Sequence, residues 1–155
     1  MNQVKTKYFL NGHVSEHWDV PRSWIIAIEG RDWPSLDKLA EESLLPEGGL
    51  HRQISKYCPI KKVEHLISLR SSPDEAGIWH DDGSRDLAFS LSLSLRPFKG
   101  AGLSLREKNR QDTTISLGPR DFGVLTCFLT GSNGYEHKTE EVLAGERLIL
   151  AGWVN

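Results

Sequence analysis

Three residues in this 155-residue chain have the types and spacing to hold a metal ion. His80 and Asp82 lie in "IWHDDGS" (78–84), just before a long run of alternating small polar and large apolar residues. In extended chain, residues i and i+2 point to one face, so His80 and Asp82 converge while Asp81 points away. Two ligands make a poor site. The candidate third is His137 in "GYEHKTEEV", about 55 residues further on, in a predicted strand after a Gly-rich turn. His-x-Asp alone is a weak signal, and the distal histidine strengthens it.

Two imidazoles and one carboxylate on one face of a metal leave three positions open, the arrangement of facial non-haem Fe(II) sites. Arg147 adds to this pattern. Gly145 suits the left-handed last position of a three-residue hairpin loop, Leu143–Gly145, which would pair Val142 with Glu146 and Glu141 with Arg147. Parity then puts Arg147 on the face of His137, four residues away in level, roughly 13 Å at about 3.3 Å per residue. A metal-chelating five-carbon diacid plus an extended arginine spans that distance. The guanidinium is a planar fork that keeps its charge and suits a remote carboxylate. A two-residue turn would reverse the parity, but it would require a positive φ at Ala144.

The elements that must position these residues follow from periodicity. "WIIAIE" (24–29) reads as a strand. "DWPSLDKLAEESLLP" (32–46) reads as an amphipathic helix with Trp33, Leu36, Leu39, Ala40 and Leu44 on one face, capped by Asp32 or Ser35. Eight strands then follow: 61–70, 77–80, 86–95, 102–107, 113–117, 122–130, 135–142 and 147–154. Many short strands behind a helical segment indicate a mainly β sandwich or jelly-roll barrel.

The stretches "WHDDGSRDLAFSLSLS", "PFKGAGLSLRE" and "YEHKTEEVLAGERLILAGWV" together resemble the Fe(II)/2-oxoglutarate-dependent dioxygenase superfamily, in its prolyl-hydroxylase-like branch. The likeness covers roughly residues 62–154. The family pattern is His-x-Asp, a distal His and a basic residue about ten positions later, and His80, Asp82, His137 and Arg147 match it in order. The resemblance implies a double-stranded β-helix (jelly roll) with the N-terminal helical segment packed on one sheet. The length fits one domain over 1–155, with 1–60 as N-terminal strand and helix support and 61–155 as the double-stranded β-helix core. The resemblance implies Fe(II) on His80, Asp82 and His137, with 2-oxoglutarate as cosubstrate, O2 consumed, succinate and CO2 released, and ascorbate as an optional addition. Arg147 would pair with the distal carboxylate.

Laid on the family's third core strand, "DLAFSLSLS" puts Ala88, Ser90, Ser92 and Ser94 toward the pocket and Leu87, Phe89, Leu91 and Leu93 beneath the helix. The opposite assignment, serines to solvent, is the ordinary reading of such alternation. Ser92, Ser104 and Arg70 are the further candidates for cosubstrate contact. Where prolyl hydroxylases often carry a tyrosine near Ser92, this chain does not, which leaves the substrate class open. Candidates are an amino-acid residue in a peptide or protein, a free amino acid or another small metabolite. Asp82 argues against halogenation. Trp153 stands where nucleobase demethylases typically carry a second arginine.

Bland readings compete at several positions. His51 and His65 are given no role. His13 and His17 have i, i+4 spacing without the pattern of a zinc-binding helix. Trp79 and Tyr135 flank the ligands as gates or as packing, and Trp153 reads as core. With 38% hydrophobic and 26% charged residues and a net charge of −2, the chain is of globular composition and lacks the basic footprint of a nucleic-acid binder. No apolar run is long enough to span a membrane, and the start of the chain lacks a signal-peptide core, so a cytoplasmic location is expected. Cys58 and Cys127 are expected as thiols. A cupin-like metal protein without oxygenase turnover and a metal-free jelly-roll binding module are the alternative functions.

Overall fold

The computed structural model describes residues 4–155. Its helices are α1 (Arg22–Glu29), α2 (Trp33–Leu44) and α3 (Gly49–Ser55). Its strands are β1 (His13–His17), β2 (Val63–Ser71), β3 (Leu87–Ser92), β4 (Lys99–Gly100) and β5 (Leu103–Glu107), then β6 (Ile115–Ser116), β7 (Val124–Leu129), β8 (Tyr135–Thr139), β9 (Val142–Ala144) and β10 (Glu146–Val154). The major sheet has the order β1-β7-β3-β10-β2, and a smaller sheet, β6-β5-β8, lies against its concave face. Both are antiparallel, and β4 pairs with β9. This is the mainly β jelly roll expected from the sequence, with the helices packed on the outside of the major sheet.

Alternation in β3 creates the two layers. Leu87, Phe89, Leu91 and Leu93 are buried in one cluster with Trp24, Leu36, Ala40, Leu44, Leu50 and Ile54 from the helices. Ala88 faces the other way and packs with Leu105 and Phe128, and Ser90 and Ser92 line a cavity between the sheets. The serines thus face inward, as the family-based assignment has it. Ser94 departs from that assignment: its hydroxyl exchanges hydrogen bonds with the backbone of Leu148.

Helix α2 starts as anticipated, with the Asp32 carboxylate accepting from the Ser35 amide at 3.1 Å and buried Leu36, Ala40 and Leu44 at helical spacing. Residues 24–29, read as a strand, are instead helical within α1. Trp24, Ala27 and Ile28 are its buried side, and a short apolar run does not separate a strand from a buried helix by periodicity. Residues 77–80 form no strand, and only His80 makes a bridge. Helix α3 and strand β1 are additions to the sequence reading. In β1, His13 and His17 are four residues apart in extended chain, roughly 13 Å, so they do not form a helical ligand pair.

The hairpin proposed to link His137 with Arg147 is absent. β9 pairs with β4, β10 pairs with β2 and β3, and β8 pairs with β5. Gly145 does take the positive φ expected of it, +76°. It turns the chain between two sheets rather than closing a hairpin, so the parity argument for Arg147 does not apply.

Leu91 is completely buried on the helix side, whereas Leu143 is 60% exposed. Leu91→Ala should lower unfolding free energy by roughly 2–5 kcal/mol, the usual range for such a cavity. Leu143→Ala should change it little, and urea denaturation of the two variants measures the contrast.

Candidate functional site

His80 and His137 are brought together by the backbone. The His80 amide donates to the His137 carbonyl at 3.1 Å, and the His137 amide donates to the His80 carbonyl at 2.9 Å. Directly opposed residues of an antiparallel bridge project to the same side. The two imidazoles accordingly lie 4.4 Å apart between centroids, tilted by 57°. The Phe128 ring meets His137 edge-on at 4.8 Å.

Asp82 completes the cluster from a loop. Its carboxylate oxygens lie 3.6 Å from Nε2 of His80 and 3.6 Å from Nε2 of His137. One donor atom from each of the three residues falls within 4.8 Å of the others. The fully buried Thr130 sets the carboxylate: its hydroxyl accepts from the Asp82 amide at 3.2 Å and donates to Oδ2 at 3.1 Å. Gly131 makes room for this loop. Its φ is +52°, and a Cβ there would overlap the carbonyl oxygens of Gly83 and Arg85. Thr130 and Gly131 are the functional positions the sequence reading missed; their only signal was a polar residue and a glycine ending an apolar strand. Asp81 turns away, its carboxylate accepting from the Gly83 amide at 2.9 Å and pairing with Lys108.

The protonation pattern suits metal binding. His80 Nδ1 lies 2.9 Å from the Ile78 carbonyl. That contact makes Nδ1 the donor and turns Nε2 toward Asp82. His137 is held well below the ordinary imidazole range, at about 4, chiefly by burial. The Asp82 carboxylate opposes that shift and His80 adds to it. His137 is therefore neutral at pH 7, with Nε2 available to a cation. Its buried Nδ1 has no hydrogen-bond partner among the described residues.

Arg147 lies at the other end of the concave face, where it helps line a cavity of about 20 Å³ with Ser90, Ser92, Thr126 and Arg120. Burial, with Arg70 nearby, pushes its guanidinium down to about 10, which leaves it cationic at neutral pH. Among the described residues no carboxylate pairs with it. The other candidates are differently engaged. Ser92 lines the cavity, but its one proton goes to the Arg120 carbonyl at 2.9 Å, so it cannot donate to a carboxylate there. Ser104 alternates with Leu103 and Leu105, which face inward, and donates to the Glu140 carboxylate at 2.6 Å. Arg70 stands opposite Arg147 in the β2–β10 ladder, yet its guanidinium binds Asp74 and the carbonyls of Glu75 and Glu140. It clamps the loop after β2. Ser104 and Arg70 thus spend their donors on other partners, and neither lines the cavity.

Trp79 packs against cations. It carries the Arg106 guanidinium 4.0 Å over its ring, on the side of β5 and β8 opposite Leu105 and His137. Tyr135 packs into both apolar clusters. Trp153, read as core, is half-buried on the concave face, with the Arg85 guanidinium 5.4 Å over its ring.

No protein-family model matches the chain. It is 27% identical over 108 residues to a PKHD-type hydroxylase of Synechococcus sp. (strain CC9605), a match covering 65% of this chain. The chain spans about half, 46%, of that relative's length. Among solved structures it resembles a Pseudomonas putida prolyl-4-hydroxylase with a TM-score of 0.63 and 20% identity, covering 93% of this chain and 88% of the other. It also resembles a Trichoplax adhaerens prolyl hydroxylase solved with a hypoxia-inducible-factor peptide, with a TM-score of 0.53 and 14% identity, covering 99% and 64%. The fold is that seen in these prolyl hydroxylase structures, and the sequence match is to a hydroxylase.

The depressed His137 gives a pH prediction for the metal-free protein. An imidazole at about 4 when folded and about 6.5 when unfolded binds more protons unfolded. Stability should be full above pH 6.5 and fall as pH drops toward 4. His137→Gln should flatten that part of the curve in denaturant melts taken from pH 7 to 4.

Proposed function

We propose that this chain is an Fe(II)- and 2-oxoglutarate-dependent oxygenase that hydroxylates its substrate. The observation that carries the reading is the pairing of a His-Asp-His cluster with a carboxylate-free cationic cavity on one concave face. His80 and His137, through Nε2, and Asp82 would hold the metal. Bound iron and 2-oxoglutarate would supply the oxidising chemistry, consuming O2 and releasing succinate and CO2.

The chain's own residues do the positioning. The Ile78 carbonyl fixes the His80 tautomer, and Thr130 orients the Asp82 carboxylate. Phe128 packs against His137 and keeps water from that side. Arg147 holds the distal carboxylate of the cosubstrate as a charged fork. The His80 side chain is 48% exposed, against 9% for His137 and 7% for Asp82. Substrate therefore approaches from the His80 side.

The substrate classes are an amino-acid residue in a peptide or protein, a free amino acid or another small metabolite. The peptide bound to the Trichoplax relative supports testing peptides first. A cytoplasmic location fits two buried free thiols, Cys58 and Cys127, and no helix among the described residues is long and apolar enough to cross a membrane. Ascorbate is a reasonable addition to assays.

Anaerobic addition of Fe(II) and 2-oxoglutarate should produce a visible charge-transfer band, and admitting O2 should release succinate. A protein that binds Fe(II) and gives neither would be a cupin-like metal binder, and the proposal would fail. Asp82→Ala should abolish Fe(II) binding and Asp81→Ala should leave most of it, measured by metal titration. Arg147→Ala should weaken 2-oxoglutarate binding by about tenfold to more than a hundredfold, with Fe(II) affinity nearly unchanged, since charge-assisted hydrogen bonds contribute roughly 1.5–3 kcal/mol each. Equal cosubstrate affinity in wild type and variant would remove Arg147 from the site.

A further inference from the structure

The major sheet ends on β2, which is paired on one side only, to β10, in an unbroken register along its whole length. Which of its backbone groups stay free follows from the bonds at its ends. Lys62 and Asn155 exchange both hydrogen bonds, and the Ser72 amide donates to the Gly145 carbonyl. Opposed residues of an antiparallel pair alternate between hydrogen-bonded and non-bonded. Glu64, Leu66, Ser68 and Arg70 therefore bond to β10. Val63, His65, Ile67, Leu69 and Ser71 turn their N–H and C=O groups outward, where they find no backbone partner among the described residues.

Native proteins blunt such edges with short strands, lysines, prolines or bulges. β2 has none of these devices. It is nine residues long, it reads VEHLISLRS without Lys, Pro or Gly, and its register does not break. Leu66, on its concave side, is 42% exposed.

A second copy of the chain fits this edge in one register better than in its neighbours. A two-fold axis at Ile67 places Val63 opposite Ser71, His65 opposite Leu69 and Ile67 opposite itself, so every outward N–H and C=O is bonded. The same register sets Glu64 opposite Arg70 of the second copy. That joins the Arg85–Glu64 and Arg70–Asp74 ion pairs into one row of alternating charge. An axis at Leu66 would instead set Arg70 opposite Lys62, a like-charge pair, and an axis at Ser68 would leave Glu64 opposite Ser72. Hydrogen bonding and charge thus select the same alignment.

We propose that β2 is a dimerisation edge, on which two copies pair their β2 strands antiparallel about Ile67. Two five-stranded sheets become one continuous sheet. The axis is perpendicular to the sheet, so both concave faces, with their metal clusters, open on the same side. Leu66 of each copy meets Ser68 of the other. The interface is self-complementary and closes at two copies. The dimer does not depend on the oxygenase reading.

Sedimentation velocity of the whole chain over a range of micromolar concentrations should show a monomer–dimer equilibrium and no larger species. His65→Pro deletes an N–H that β10 does not use, so the fold stands while two intermolecular hydrogen bonds are lost. The dissociation constant should rise about tenfold or more. If that variant melts below wild type, Leu66→Lys, at an exposed position, is the second probe and should weaken the dimer in the same direction. Cysteines read the register. Ile67→Cys puts two thiols across the axis with Cα atoms about 5.5 Å apart, within disulfide reach, so mild oxidation should give a covalent dimer. Leu69→Cys puts them four residues apart in level, roughly 13 Å, and should give none. Cys58 and Cys127 are buried and do not interfere. A monomer at every concentration would overturn the proposal and leave the edge to an extended peptide. A dimer untouched by both His65→Pro and Leu66→Lys, or cross-linked through Leu69→Cys and not Ile67→Cys, would also overturn it.

Discussion

The alternation of β3 is the constraint on which the rest of the structure depends. This strand lies at the centre of the major sheet, hydrogen-bonded to β7 on one side and β10 on the other. Its leucines and phenylalanine are covered by the helices, its serines face the cavity, and its alanine packs with Leu105 and Phe128 on that same side. A slip of one residue would send serines beneath the helices and leucines into the site. Because two neighbours share this register, Leu91 opposes both Leu125 and Leu150, and Ser90 opposes both Thr126 and Ala151. The same register fixes where β7 ends and β10 begins, and so where Thr130 and Arg147 stand.

The metal cluster depends on that frame only in part. His137 comes from a strand, His80 from a single bridge to it, and Asp82 from a loop docked on Thr130 and Gly131. The two histidines are held by main-chain hydrogen bonds, so their approach is insensitive to side-chain identity nearby. Asp82 relies on one hydroxyl and one absent Cβ. Its position is therefore the more vulnerable to substitution, although it lies among the most buried ligands of the cluster.

Charge divides the concave face. Near the cluster one carboxylate faces two imidazoles, of which His137 is kept neutral by burial. At the far end Arg147 has no carboxylate on the cavity wall, and the cation acting on it is Arg70. In the proposed function one chelating dianion satisfies both ends, with its metal-binding end toward the cluster and its distal carboxylate toward Arg147. The sheet supplies the spacing, and the ligand supplies the charge that neither end has by itself.

By itself, the sequence determined what short-range physics can specify. Alternation at 87–93 showed two faces, helical spacing and an Asp cap marked α2, and His80, Asp82, His137 and Arg147 stood out by type and order. Local pattern could not decide 24–29, because a short buried run looks alike in helix and strand. Only the tertiary structure decided which strands pair. Gly145 has the backbone conformation of a hairpin, yet β9 and β10 part to different sheets, since strand pairing is settled by burial of whole faces and not by the turn between them. The occupation of polar side chains was likewise a tertiary matter. Ser104 and Arg70 have the right chemistry, but folding brought Glu140 and Asp74 within reach and engaged them first. Arg120, unremarkable in the sequence, became a wall of the cavity because the loop before β7 folds over Ser92.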